Sequence, residues 1–182
     1  MNYAMNTQKH FELMSAYNMR MNQQINHAIK NLTDIELNED KGAFFHSIVG
    51  TLNHILVGDI IWLSRFAQFS ARYVSLIKIS SIAKPTTLDQ ILFSNKNTFI
   101  EAREKVDSLL CDWLQYETIE SDFNQMLCYK TTKDIDSRRD FGELINHLFN
   151  HQTHHRGQLT TLLNQMKLEV GTTDFLIEIP ES

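Results

Sequence analysis

Glycine and proline are scarce in this chain, six and two among 182 residues. An all-β protein with many tight turns needs more of both, so the shortage favours a few long helices joined by few loops. Cysteine is nearly absent. Cys111 and Cys128 form no C-x-x-C pair and no dense framework, which suits a reducing cytosol and leaves open whether the two meet in space. No apolar run can span a bilayer: the richest, Ile55 to Leu63, is short and interrupted by Asp59. The opening Met1-Asn2-Tyr3-Ala4-Met5-Asn6 has neither the charged nor the apolar stretch of a signal peptide, so a cytoplasmic protein is expected. Positive charge is not in excess either. Lys plus Arg is 17 against 22 for Asp plus Glu, a formal −5, which gives no footprint for nucleic acid or an anionic membrane. The pair Arg138-Arg139 is too small a patch to change that and reads as solvated surface.

What is present is a globular composition, 42% hydrophobic and 21% charged. The length fits one domain over residues 1–182, able to bury a core without disulfides. No internal repeat, low-complexity run or linker divides it. Histidine, with eight copies, is the one excess.

Four helical segments follow from the spacing of apolar residues. The first runs from about Asn6 to Asn31, with Phe11, Met14, Asn18, Met21 and Ile25 on one face. A polar turn through Asn38-Glu39-Asp40-Lys41-Gly42 follows. The second runs from about Phe45 to Phe69 and is apolar on much of its circumference. Pro85 marks a break, and Thr86 or Thr87 is the expected cap of a third helix that passes Ile91, Phe99, Val106, Leu109 and Leu110 to about Tyr116. The period is lost between Glu117 and Arg139, where Met126 to Thr132 reads as extended chain, one arm of a small hairpin. Asp140, with Glu143 in the capping-box position, starts a fourth helix that ends near Leu168. The tail from Gly171 to Ser182 is expected to be irregular and to pack over the rest. The fold class is therefore all-α, a four-helix bundle with a possible small hairpin between helices three and four.

On the fourth helix Leu144, Leu148, His151, His155, Leu159 and Leu162 share one narrow face. Two imidazoles thus fall in the middle of an apolar stripe, where each needs a hydrogen bond or a metal. Their i,i+4 spacing lets both converge on one ion. A third ligand is available as His54 on the second helix. It lies on the line Ser47-Thr51-His54-Gly58-Ile61, whose small residues leave room for a cavity. Three histidine nitrogens with open positions make a catalytic type of metal site, whereas a structural site closes with a fourth protein ligand. The competing reading is that the histidines only pack and pair with Tyr or Asp across the bundle. His147 and His154 lie at the edge of the stripe; His10, His27 and His46 read as surface groups. Asp59 is open between partnering an imidazole and bonding to helix one. Arg156 and Gln158 lie off the stripe, open between a supporting and a subunit-packing role, and neither is assigned to catalysis.

Other signatures are missing. There is no H-E-x-x-H, no Glu-x-x-His pair of the di-iron bundles, and no G-x-x-x-x-G-K-[ST], G-x-G-x-x-G or G-x-S-x-G.

The string Asn150-His151-Gln152-Thr153-His154-His155-Arg156-Gly157-Gln158, with Leu52-Asn53-His54-Ile55-Leu56 and Thr173-Asp174-Phe175-Leu176, resembles the damage-inducible DinB/YfiT-like family of bacteria. The resemblance spans nearly the whole chain. It implies an up-down-down-up four-helix bundle, commonly a homodimer, holding a divalent metal, typically zinc or nickel, on three histidines that map onto His54, His151 and His155. It also implies, for some relatives, thiol-dependent chemistry on small electrophiles: transferases that use a low-molecular-weight thiol and an isomerase with such a thiol as cofactor. The first functional expectation is accordingly a metal-dependent transferase in stress response or detoxification, or a hydrolase if the open position holds water, with a small-molecule substrate. The alternative is a non-enzymatic, metal-stabilised stress protein. No catalytic residue beyond the metal ligands is assigned, and the metal's identity is open because imidazole suits zinc, nickel, copper and iron.

Overall fold

Four long helices form where the apolar periodicity places them, and a side-chain cap fixes the start of each. The computed structural model describes residues 6–181. In chain order these are α1 (Thr7–Ala28), a short α2 (Asp34–Asn38), α3 (Ile48–Phe66), and α4 (Val74–Ile77) continuing into a 3-10 turn. There follow α5 (Lys96–Tyr116), a 3-10 turn (Glu120–Asn124), strands β1 (Met126–Lys130) and β2 (Asp136–Asp140), α6 (Phe141–Gln165), and a last 3-10 turn (Phe175–Glu178). The leading segment Met1–Met5, read above as lacking a signal peptide, lies outside the described residues, as does Ser182. Among the described residues no helix is long and apolar enough to cross a membrane.

The caps satisfy N–H groups that a helix leaves unpaired in its first turn. Asn6 accepts from the Lys9 amide, Ser47 from Gly50, Asn95 from Asn97 and Thr98, and Asp140 from Glu143. The carboxylate of distant Glu120 takes the Thr7 and Gln8 amides at 3.0 and 2.9 Å, tying the start of α1 to the loop after α5. Glu143 holds the capping-box position, but only the Asp140 half of the box forms.

Contacts along the helices fix their directions. Phe11 packs on Phe149 and Asn18 meets Arg156, so α1 and α6 run parallel. Asp59 meets Arg103 and Phe66 packs on Trp113, so α3 and α5 also run parallel. His54 packs on His155 while Trp62, two turns on, packs on His147, so α3 runs against α6. The order is up, down, down, up, as expected. The core between them is built on Phe11, Leu56, Leu63, Trp113, Phe141 and Leu148 with their neighbours. The hairpin is also present, antiparallel, with Met126 opposite Asp140 and Lys130 opposite Asp136.

The third helix differs from the expectation. It starts at Lys96, not after Thr86 or Thr87, and Ile91 lies outside it, 45% exposed. Asn95 wins as the cap because Asp34 also receives the Lys96 amide at 2.8 Å. Upstream, Gln90 takes both the amide and the hydroxyl of Thr86, and the Asn53 amide group grips Phe93 at its N–H and its carbonyl, each at 2.9 Å. Residues 83–95 are thereby held as an irregular strap across α3. The second helix starts later than expected, at Ile48, because an isolated bridge between Ala43 and His46 closes a turn there. Its end at Phe66, the end of α1 at Ala28 and that of α6 at Gln165 each fall three residues short of the expected boundary.

The tail packs as expected. Arg20 of α1 reaches Glu178 and the carbonyls of Thr172 and Asp174, and Phe175 sits edge-on to Tyr17. Cys111 is part-buried, Cys128 is exposed, and both are free.

Candidate metal centre

His54 on α3 faces His151 and His155, one turn apart on α6. The Nε2 atoms of His54 and His151 lie 3.0 Å apart, and one ligand atom from each of the three imidazoles falls within 4.8 Å of the others. Ring centres are 4.5 to 4.9 Å apart. All three side chains are half-buried: they stand at the edge of the core, His54 and His151 lining a cavity, and not deep within the leucine stripe that flanks them.

Neighbouring groups determine which nitrogen is offered. The Leu88 carbonyl, brought over by the strap, accepts from His54 Nδ1 at 2.9 Å. A carbonyl only accepts, so the proton is on Nδ1 and the Nε2 lone pair faces His151. Gln158 does the same for His155, its Oε1 lying 2.8 Å from Nδ1. His151 has no such partner, and its buried Nδ1 makes no hydrogen bond. Burial first, then the neighbouring imidazoles, pushes the pKa of His151 down to about 3; burial also lowers that of His155, with Gln158 opposing. A neutral imidazole is the form that binds a cation.

Two glycines make this approach possible. A Cβ at residue 58 would lie 2.8 Å from Cε1 of His151, so only glycine lets that ring lie against α3. At residue 50 a Cβ would overlap the carbonyl oxygen of Phe45. Gly50 thus lets the preceding turn fold back on the helix, and the Phe45 ring stacks on His54 at 3.9 Å and meets His155 edge-on. On the other side a cavity of about 280 Å³ opens, lined by His54, Gly58, Trp62, Tyr129, His147 and His151, among others.

The donor set fits a borderline divalent cation. Two histidines have Nδ1 committed to carbonyl oxygens, as metal-bound histidines usually do, and the lone pairs converge where only a proton or a cation relieves their repulsion.

The chain matches the DinB family over residues 5–180. It belongs to that family. It is 24% identical over 160 residues to Protein DinB of Bacillus subtilis (strain 168), covering 87% of both chains. Its fold is that of a DinB-like protein from Bacillus cereus ATCC 10987, whose crystal structure it matches with a TM-score of 0.55 at 20% identity, over 84% of this chain and 89% of that one.

The structure brings together the three histidines that the sequence singles out and separates the rest. His147 lines the cavity beside Trp62, and exposed His154 lies next to His155. His27 and His46 are exposed, and His10 rests against Phe11. Asp59 takes neither expected role: among the described residues its polar partners are Arg103 of α5 and Gln152 of α6, and it hydrogen-bonds to no imidazole and to no residue of helix one. Gln158 proves to be a partner of His155. Arg156 is buried, bonded to Asn18 and Gln152. Sequence reasoning misses Phe45, Leu88 and the need for glycine at 50 and 58. Of these only the small residue one turn after His54 leaves a readable signal.

Proposed function

We propose that this DinB-family protein is a metal-dependent enzyme acting on a small molecule, with His54, His151 and His155 holding one divalent cation, zinc or nickel on the family resemblance. The convergence of three imidazoles, two of which line a cavity, carries the reading. When bound, a cation on three histidines supplies Lewis acidity, lowering the pKa of a thiol or water in an open position. The chain's own groups do the rest. Leu88 and Gln158 hold two rings in one tautomer, Gly58 leaves space for the third, and Phe45 keeps water from the far side of His54. The cavity beside His151 takes the substrate. Thiol transfer to a small electrophile is the reaction we favour, on the family resemblance, with a homodimer as the working assembly.

Metal content decides first. Protein purified without chelators is expected to carry about one equivalent of zinc or nickel, and the His151→Ala variant to carry none. Wild-type protein should then accelerate conjugation of 1-chloro-2,4-dinitrobenzene by one of a panel of thiols, and lose that rate on chelation. Equal rates with and without metal exclude the metal-dependent reaction. The second reading is a non-enzymatic, metal-stabilised protein. It is favoured by the site's position between α3 and α6, which an ion would cross-link, and it predicts a large fall in Tm on chelation with no turnover for any thiol.

A further inference from the structure

Arg65 lies two turns beyond Gly58 on the face of α3 that carries His54, Gly58 and Ile61 into the cavity. Its guanidinium packs against a pair of aromatic rings that meet edge-on, with Cζ 4.6 Å from the centre of Trp62 and 5.0 Å from that of Tyr129 on β1. The side chain is half-buried, and among the described residues it makes no hydrogen bond or ion pair with any oxygen. The other arginines withdrawn from solvent behave differently. Arg103 and Arg156 find buried acceptors, and Arg20 reaches Glu178. Burial, offset only weakly by Tyr129, lowers the pKa of Arg65. Its cationic form therefore bears a desolvation cost that no protein anion offsets.

The same residue lines a second cavity of about 390 Å³, which shares Ile61, Leu88, Thr131 and Thr132 with the first. The two form one groove running from the imidazoles past Arg65. Of the lysines in its far half, Lys130 is tied to Asp134 at 3.0 Å, and Lys84 is exposed and lies toward the strap. A single rigid guanidinium suits a planar monoanion, which it can grip with two parallel N–H donors.

We propose that Arg65 is the specificity-determining residue of an anion subsite, and that the substrate or co-substrate is a small molecule whose carboxylate binds there while its reactive group lies at the histidines. Gly58 and Arg65 are separated by about 10 Å along α3, at 1.5 Å per residue, which sets the span between the two ends. Trp62 and Tyr129 supply an apolar floor for the part between. The assignment of the reactive end rests on the reading of the histidines given above. The carboxylate subsite itself does not need the metal.

The first test uses chelator-treated protein and a pair of probes, 3-phenylpropionate and 3-phenylpropionamide, followed by the change in fluorescence of Trp62 over the constant background of fully buried Trp113. The acid is expected to bind about tenfold more tightly than the amide, the preference to vanish in Arg65→Met and to survive in part in Arg65→Lys. Equal binding of the two probes, binding of neither, or a preference retained in Arg65→Met overturns the subsite. The second test uses cobalt(II)-loaded protein, with N-acetylcysteinylglycine and its C-terminal amide, read by the absorption of sulfur-ligated cobalt. Tighter ligation by the acid, lost in Arg65→Met at unchanged cobalt content, supports the two-ended substrate. Failure to bind cobalt removes the metal reading and leaves the first test to decide Arg65. Cobalt uptake with no discrimination between acid and amide removes the subsite and keeps the metal.

Discussion

Two polar clusters sit side by side in this bundle, and they are built on opposite principles. One is a closed ring. Asp59 of α3 accepts from Gln152 and Arg103; Gln152 accepts from Arg156; Arg156 donates to Asn18; Asn18 donates to Asp107; and Asp107 pairs with Arg103. All four long helices contribute, every member is at most 3% exposed, and each carboxylate oxygen has a donor. The other cluster, the three histidines, lies beside it: His151 precedes Gln152 on α6, and on α3 Gly58, against which the His151 ring lies, precedes Asp59. Turned about 100° around α6, it faces a cavity, with the His54 and His151 Nε2 atoms 3.0 Å apart around a single proton and the buried Nδ1 of His151 left without a hydrogen bond. A ring whose charges cancel and whose bonds close has nothing left to offer a ligand. The histidines are held in place yet unsatisfied, which is the condition for binding.

If the ring is structural, breaking it should give the largest loss of stability in the molecule. Arg103→Met leaves two buried carboxylates without their cation and is expected to cost about 3–5 kcal/mol, read by urea unfolding. Replacing Asp59, Arg103 and Asp107 together by apolar residues of similar size should recover much of that. A loss below ~1 kcal/mol for Arg103→Met alone would show that the ring tolerates an open member, and the contrast with the histidines would fail.

The complementary change is Gly58→Ala, where the effects should invert. Alanine is the better helix former by about 1 kcal/mol, and the atom it meets belongs to a side chain that can move. Unfolding of the metal-free protein should therefore change little. The displaced His151 ring should lower metal affinity at least ~10-fold in a calorimetric titration, in the range seen when groups supporting a metal ligand are removed. Gln158→Ala is expected to act in the same sense and more weakly, because it frees the His155 ring without pushing it. An unchanged metal affinity in Gly58→Ala would remove the steric argument for His151 as a ligand.

The two clusters also differ in how far the sequence reveals them. The histidines are legible because a helix puts i and i+4 on one face, and because His54 stands on a line of small residues. The ring is almost invisible. Asn22, Arg103 and Asp107 look like solvated residues in amphipathic helices, and only the packing of α1 against α5 and α6 turns them inward. Asp59, on an apolar stripe, and Asn18, on the apolar face of helix one, are the hints, and their partners lie on helices that spacing alone cannot select. The strap is hidden for a related reason. Its path depends on Asn53 gripping Phe93 across 40 residues, so the local signal at Pro85 and Thr86 reads as a helix start.

Acidity separates the clusters by sign, with the smallest effect of the set. His151 has a folded pKa near 3 against an ordinary 6.5, so its contribution to stability is complete above 6.5 and is lost as pH falls toward 3. Asp107 runs the other way. Burial, only partly offset by Arg103, pushes its carboxyl from 3.8 up to about 6, so its contribution is complete below 3.8 and is lost as pH rises through 6. Between pH 4 and 6 the histidine makes the metal-free protein more stable with rising pH, and the carboxyl makes it less so. Urea midpoints measured across that window should rise less steeply in His151→Ala than in wild type, and more steeply in Asp107→Asn, whatever each substitution does to the absolute midpoint. If both variants change the slope in the same direction, the two clusters answer to one electrostatic environment, and treating the ring as a closed unit beside an open one is wrong.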